Sequence, residues 1–237
     1  MALPQEDIGN TPLYELTTAT QGEHTYVLDG GSLLHRIKWK KSITYQEIAD
    51  SYTEFVTETY GKAVIIFDGY PSGASTRDNT HFRRTTQGQS KQVNFTADMK
   101  FEGIKKTFLN NSHNKSKIIQ LIGSSLEKEN CVVIHSSEDA DVDIAVNACK
   151  LAREKNITVV GEDSDLLVLL IHYSTIYSSS FKLIFKSDIH TNTYSEGHDI
   201  YNYGDTLGED ISNHLLFPHA FSGCDTTSSF SVLENKQ

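Results

Sequence analysis

Short apolar runs alternate along the chain with longer segments in which apolar residues recur at helical spacing. Four runs, at residues 24–29, 63–68, 131–135 and 157–160, are almost continuously apolar and rich in β-branched side chains. A further run covers residues 181–186. Runs of this kind are typical of parallel strands that are covered on both faces, so they predict a buried sheet.

Helical patterns fill the segments between these runs. Over residues 45–60 apolar side chains recur at helical spacing, after a capping-box pair, Thr44 and Glu47, and before Gly61. Further helices are predicted at residues 33–37, 97–109, 115–126, 138–154 and 211–221. Residues 70–94 are polar and predict either a long mobile excursion or a helix that needs a ligand to order it, whereas residues 194–204 predict a loop. Strand and helix in alternation predict an α/β fold, a three-layer sandwich whose central, mainly parallel sheet is flanked by helices.

The length and composition of the chain fit a single globular domain. Its 237 residues, of which 38% are apolar and 10% aromatic, suffice for one sizeable core. We assign residues 23–237 to this domain and residues 1–22 to an extension before it. Three widely spaced cysteines, Cys131, Cys149 and Cys224, match neither a disulfide framework nor a zinc pattern and predict buried free thiols.

Neither a membrane span nor a signal peptide is predicted. No stretch reaches the roughly 18 consecutive apolar residues that a spanning helix needs. Residues 1–10 lack the charged, apolar and cleavage regions of a secretion signal. We therefore expect an intracellular protein of the nucleus or cytoplasm.

Charge is distributed unevenly along the chain. The net charge of -10 alone argues against a nucleic-acid partner, because Lys and Arg drive the binding of phosphates. Residues 69–117, however, hold nine Lys or Arg against three Asp or Glu, a local charge of +6 that leaves -16 for the remainder. A basic insertion of about this extent therefore lies within an acidic body.

Acidic residues follow the apolar runs. Asp29, Asp68 and Asp163 end or follow three predicted strands, and the carboxyl ends of parallel strands are where open sheets place their ligand sites. Four more aspartates stand near the same edge. Asp139 and Asp141 open the helix after the third strand, Asp165 follows Asp163, and Asp225 follows the final helical stretch.

Seven carboxylates at one edge of a sheet predict divalent cations. Clustered carboxylates repel one another unless they stay solvated, take up protons or bind metal ions. Their hard oxygen ligands favour Mg²⁺ or Mn²⁺. Two such ions about 4 Å apart activate a water molecule and stabilise a leaving oxygen, which is the chemistry of phosphodiester hydrolysis.

These aspartates also have interpretations other than a two-metal site. Any single Asp at a strand-to-helix turn is more often an N-cap than a metal ligand. The segment from Asp139 to Asp143 imitates an EF-hand loop, but Ile144 stands where that loop needs Gly and Lys150 where it needs Glu. A phosphatase built on D-x-D pairs is disfavoured, because no D-x-D-x-T block follows a strand.

Three sequence blocks carry a resemblance to a known superfamily. They are FDGYPSG at residues 67–73 with Arg83 and Arg84 after it, GEDSDLL at residues 161–167, and SGCDTTS at residues 222–228. In this order they resemble the flap-endonuclease-like PIN domain superfamily, most closely uncharacterised PIN-like proteins of animals. The resemblance covers roughly residues 26–229 and implies a PIN-like nuclease domain.

The resemblance implies a role for each acidic residue. The first metal ion would be held by Asp29, Asp68, Asp139 and Asp141, and the second by Asp163, Asp165 and Asp225. The family has Glu-x-Glu where Asp139 and Asp141 stand, so Glu138 is a competing ligand. Basic residues after the FDG block would gather phosphates on an arch-like insertion: Arg77, Arg83, Arg84 and Lys91.

The function that we expect is a nuclease dependent on two Mg²⁺ or Mn²⁺ ions and acting on DNA or RNA. Its substrate would be single-stranded or branched nucleic acid. The alternative from another class is a catalytically inactive PIN-like scaffold that binds nucleic acid or protein, since a fold is often retained where an activity is lost.

The basic insertion generates a first testable prediction. Replacing Arg83→Ala together with Arg84→Ala should weaken the binding of labelled single-stranded DNA and reduce the salt dependence of binding by about one to two counterions. A titration across several salt concentrations measures this slope. An unchanged slope would show that neither residue contacts the phosphates.

Overall fold

The computed structural model describes residues 24–69, 90–137, 139–187 and 197–217. Within these residues one sheet is formed by β1 (Thr25–Asp29), β2 (Val64–Phe67), β3 (Val132–His135), β4 (Ile157–Val160), β5 (Leu183–Lys186) and β6 (His198–Asp199). The strand order is β3-β2-β1-β4-β5-β6. Every pairing from β3 to β5 is parallel, and only β6 runs antiparallel to its neighbour β5. The predicted, mainly parallel sheet is confirmed.

Helices cover both faces of this sheet. In chain order they are α1 (Gly30–Arg36), α2 (Tyr45–Tyr60), α3 (Lys105–Leu109), α4 (Ser112–Lys128), α5 (Ala140–Leu151), α6 (Ser164–Ile176), α7 (Ile200–Leu207) and α8 (Glu209–His214). Helices α1 to α4 contribute to one core, and α5, α6 and α7 contribute to the other. The three-layer sandwich is therefore confirmed as well. No helix in the described ranges is long and apolar enough to cross a membrane.

Strand β2 explains why two cores form. All four of its residues are buried, because successive side chains of a strand point to opposite faces and both faces are covered. Ile65 and Phe67 pack into the core of α1 to α4, whereas Val64 and Ile66 pack into the core of α5 to α7. A nearly continuous apolar run is what this double burial requires.

The helix predicted over residues 97–109 is wrong for most of its length, since only Lys105–Leu109 is helical. The backbone of the earlier part binds the start of α2 instead. The N–H of Tyr45 donates to the carbonyl of Met99 at 3.0 Å, and that of Gln46 donates to Ala97 at 2.8 Å. A helix leaves its first N–H groups without internal partners, and this segment supplies them.

The loop predicted over residues 194–204 is also wrong, because β6 and α7 begin within it. The side chain of Asp199 caps α7 by accepting from the N–H of Asn202 at 3.3 Å, and Ile200 is completely buried. A polar sequence therefore forms a helix around one buried anchor and one cap. The predicted burial of free thiols is correct for Cys131 and Cys149, while Cys224 lies outside the described residues.

The start of α2 generates a prediction on stability. The hydroxyl of Thr44 accepts from the N–H of Glu47 at 3.1 Å, and the carboxylate of Glu47 accepts from the N–H of Thr44 at 2.6 Å. Thr44→Ala should therefore lower the free energy of unfolding by about 1 kcal/mol. Urea unfolding measures this, with Thr59→Ala on the exposed end of the same helix as control. Equal losses in both variants would contradict the role of the cap.

Candidate metal centre

The order of the strands reverses beside β1. The chain proceeds from β1 to β2 and β3 on one side, and then returns to place β4 on the other side of β1. In open α/β sheets, such a switch point leaves a crevice at the carboxyl ends of the strands. Asp29 is the last residue of β1, Asp68 follows β2, and Asp163 stands three residues after the end of β4. Three neighbouring strands thus deliver one aspartate each to the crevice.

Three of the predicted ligands are also helix N-caps. The Asp29 carboxylate accepts from the N–H of Gly31 at 2.8 Å at the start of α1. The Asp163 carboxylate accepts from the N–H of Asp165 at 2.9 Å at the start of α6, and that of Asp139 accepts from the N–H of Asp141 at 3.1 Å at the start of α5. The interpretation as caps, which the sequence left open, is therefore correct for these three.

Capping and metal binding are compatible at these positions. A carboxylate has two oxygens and about four lone-pair sites, and each of these caps is made through a single oxygen. The cap also fixes the direction of the carboxylate at the positive end of the helix dipole, where negative charge is favoured. The local sequence thus holds acidic side chains at the edge of the sheet before any cation binds.

Two glycines allow close packing at this edge of the sheet. A Cβ atom on Gly30 would lie 2.3 Å from the ring of Phe67, so only glycine lets α1 start this close to β2. A Cβ on Gly31 would lie 3.1 Å from Oδ1 of Asp29 and 4.0 Å from Oδ2 of Asp68. The two carboxylates therefore approach the same glycine.

The electrostatics join five aspartates into one cluster. Burial, together with the negative charges of Asp29, Asp139, Asp163 and Asp68, raises the pKa of Asp141 from its ordinary value of 3.8 to about 7. Burial also raises the pKa of Asp29, and the charges of Asp68 and Asp163 add to this, although backbone hydrogen bonds from Ser32 and Gly31 oppose the rise. The neighbouring carboxylates thus make the ionisation of Asp141 and Asp29 more costly.

The remaining predicted residues are placed as follows. Asp165 lies in the first turn of α6, two residues after Asp163. Lys91 is described, and its carbonyl oxygen accepts from the side-chain amide of Asn114 at 3.0 Å. The other predicted site residues lie outside the described residues: Arg77, Arg83, Arg84, Glu138 and Asp225.

The chemistry of this donor set fits hard divalent cations. Within the described ranges, no three His, Cys, Asp or Glu side chains lie close enough together to hold an ion. Cations such as Mg²⁺ or Mn²⁺ prefer carboxylate oxygens, and binding them relieves the repulsion that raises the pKa of Asp141. The residues present therefore fit the ions that the sequence predicts.

Sequence reasoning missed an ion pair that supports the crevice. The guanidinium of Arg36 at the end of α1 contacts the carboxylate of Glu162 at 2.7 Å, and the other oxygen of Glu162 accepts from the hydroxyl of Ser187 at 2.7 Å. Glu162 therefore ties the turn that carries Asp163 to α1 and to the end of β5. Nothing in the sequence pairs residues 126 positions apart.

The raised pKa of Asp141 generates a prediction. The folded state holds this proton more tightly than the unfolded state, so Asp141 favours folding below its ordinary pKa of 3.8, and this contribution is lost as the pH rises to about 7. Asp141→Asn should therefore stabilise the protein in chelator, more at about pH 8 than at about pH 5.

Urea unfolding in chelator at both pH values measures this difference, with the exposed Asp205→Asn as control. In excess Mn²⁺ the parent should be more stable than Asp141→Asn, because the parent gains more stability from a cation that binds only the folded state. A variant that is less stable than the parent in chelator at the higher pH would contradict the repulsion.

Comparison with known proteins gives similarity at the level of the fold. Neither a family profile nor a curated protein sequence matches the chain. A T5 protein co-crystallised with metal ions is 13% identical, with a TM-score of 0.49 and coverage of 91% of this chain and 71% of that chain. The bacteriophage T5 flap endonuclease in complex with DNA and metal ions is 11% identical, with a TM-score of 0.47 and coverage of 85% and 67%. The eukaryotic junction-resolving enzyme GEN-1 is 13% identical, with a TM-score of 0.43 and coverage of 95% and 48%.

Proposed function

We propose that this chain is a nuclease that depends on divalent metal ions and hydrolyses phosphodiester bonds in DNA or RNA. The observation that carries the proposal is the cluster around Asp141, whose ionisation is opposed by four other aspartates from three strand ends and one helix start. Five carboxylates held in one crevice favour a compensating positive charge, because their repulsion is relieved when a cation binds. Divalent cations supply that charge and also provide a reason for the cluster.

The proposed ligands divide between two ions. Asp29, Asp68, Asp139 and Asp141 would hold the first, and Asp163 and Asp165 would hold the second together with Asp225. When bound, a pair of Mg²⁺ or Mn²⁺ ions lowers the pKa of a water molecule and stabilises the developing charge on the leaving oxygen.

The residues of the chain orient this site. Gly31 and Ser32 donate backbone hydrogen bonds to Asp29, which limits the directions in which its carboxylate can face the crevice. The pair of Arg36 and Glu162 holds the turn before Asp163 against α1, at a distance of 2.7 Å between the charged groups. Ligands fixed in this way need little reorganisation when ions and substrate bind.

The proposed substrate is a single strand or a branched junction. A nucleic-acid strand is repelled by free carboxylates, so it must be attracted by cations and by basic side chains nearby. The basic insertion over residues 69–117 carries the local charge of +6 and follows Asp68 directly in the sequence. Basic side chains of the insertion, Arg77, Arg83, Arg84 and Lys91, are proposed to gather the phosphates over the crevice.

An experiment with labelled nucleic acids tests the proposal. The protein is incubated with single-stranded, hairpin and 5′-flap DNA and RNA in Mg²⁺, in Mn²⁺ or in chelator. We expect cleavage that requires the metal and that falls to the chelator level in the Asp163→Asn/Asp165→Asn variant. Asp205→Asn, which removes an exposed carboxylate on α7, should cleave like the parent.

Two outcomes would contradict the nuclease. Equal products from the double variant and the parent would show that the activity does not belong to this site. Binding of nucleic acid without cleavage in either metal would instead favour the inactive scaffold.

A further inference from the structure

Helix α4 carries a basic residue to the carboxyl edge of the sheet. The helix leads directly into β3, because the N–H of Cys131 donates to the carbonyl of Leu126 at 3.1 Å. Midway along the helix, a Cβ atom on Gly123 would lie 3.2 Å from Val133 and 3.7 Å from the ring of His135, the last residue of β3. The helix therefore runs antiparallel to β3, and its first turn projects beyond the end of that strand.

Lys115 stands in this projecting part. It precedes Gly123 by eight positions, which is about 12 Å at the rise of an α-helix. This distance carries it past His135 to the level of the acidic cluster. Its side chain is partly buried, and the negative charges of Asp68 and Asp29 act on its ammonium group, opposing the fall in pKa that burial causes. Lys115 therefore lies within electrostatic range of two of the carboxylates that we assign to the first metal ion.

A buried asparagine fixes the position of this first turn. The Asn114 side chain is completely buried. It accepts from the N–H of Val93 at 2.7 Å and donates to the carbonyls of Lys91 at 3.0 Å and Phe108 at 3.4 Å. The side chain of Asn111 donates to the carbonyl of Ser90 at 3.0 Å and accepts from the N–H of Asn114. These hydrogen bonds hold residues 90–93 against the first turn of α4. They therefore fix the backbone next to Lys115.

A second lysine, Lys105, lies near Lys115. After burial, the positive charges of Lys105 and Lys115 are the causes that lower the pKa of His35 at the end of α1. The ammonium of Lys105 is held in place by the carbonyl of Ile37 at 2.6 Å and by the ring of Trp39 at 5.5 Å. The ammonium groups of Lys105 and Lys115 both act on His35, so α3 and α4 bring positive charge near the end of α1, and Lys115 carries it toward Asp29 and Asp68, an arrangement that suits a phosphate.

We propose that Lys115 is a substrate-positioning residue whose ammonium group binds a phosphate of the nucleic-acid strand beside Asp29 and Asp68. The inference rests on the proposed function and adds a contact from helix α4 to those proposed for Arg77, Arg83, Arg84 and Lys91. Without a substrate, the ammonium group offsets part of the negative charge of the crevice. When cations occupy the carboxylates, the same group binds the phosphate, whose charge it complements.

Binding in Ca²⁺ tests this contact separately from cleavage, with a fluorescein-labelled single-stranded oligonucleotide as the probe. Lys115→Met keeps the length of the side chain and removes its charge. It should reduce the salt slope of binding by about 0.7, the value for one phosphate contact on a single strand. Lys115→Arg should keep the slope. The matched control is Lys128→Met, which removes an exposed charge at the opposite end of the same helix.

A second measurement separates positioning from a purely structural role. Urea unfolding verifies that Lys115→Met is folded, and Lys115→Gln replaces it if the apolar side chain prevents folding. A structural counter-ion would lower the stability in chelator and leave the salt slope unchanged. An unchanged slope in a folded variant, or a parent that does not bind the oligonucleotide, would overturn the inference.

The outcomes also distinguish this inference from the proposed function. If the parent cleaves nothing and the slope still falls in Lys115→Met, the phosphate contact stands and the nuclease fails. If the parent cleaves through Asp163 and Asp165 and the slope is unchanged, only the inference about Lys115 fails.

Discussion

The mutual repulsion of carboxylates at the carboxyl ends of β2, β1 and β4 is the constraint around which the fold is arranged. Keeping like charges close together requires a scaffold that cannot relax away from them. The two cores on either side of the sheet supply this rigidity, since every residue of β2 and β4 is buried. The Asp29 carboxylate is held at the end of the central strand, and its neighbours approach it from both sides. Much of the local structure at this edge compensates for that proximity.

Backbone N–H groups provide the first compensation. Asp29, Asp139 and Asp163 each cap the helix that begins after them. The same hydrogen bond that satisfies an N–H group at a helix start also stabilises a carboxylate in its charged form. Asp141 lies in the first turn of α5, where burial and the charges of the neighbouring carboxylates raise its pKa to about 7. At Asp29, backbone hydrogen bonds from Ser32 and Gly31 oppose the corresponding rise in pKa.

The parts of this arrangement that the sequence predicts are local. Apolar runs define the strands, because double burial leaves no room for polar residues, and Asp29, Asp68 and Asp163 are found at the ends of those runs. The capping box of Thr44 and Glu47 is correct for the same reason, since its partners are three residues apart. The contacts that the sequence does not predict join distant residues. Residues 97–101 bind the start of α2 instead of forming a helix. Arg36 meets Glu162 only in the folded chain. The direction of α4 brings Lys115 within electrostatic range of Asp29 and Asp68.

The part of the insertion that lies outside the described residues is flanked by two anchors at the same edge of the sheet. Before it, Gly69 lies so close to Ser136 that a Cβ atom would overlap the carbonyl oxygen of that residue. After it, residues 90–93 are bound by Asn111 and Asn114. The entropy of closing a chain between fixed ends grows only with the logarithm of its length, so that each doubling costs about 0.6 kcal/mol. A longer or shorter segment between these two anchors would therefore cost the sheet little stability and would leave the carboxylates in place.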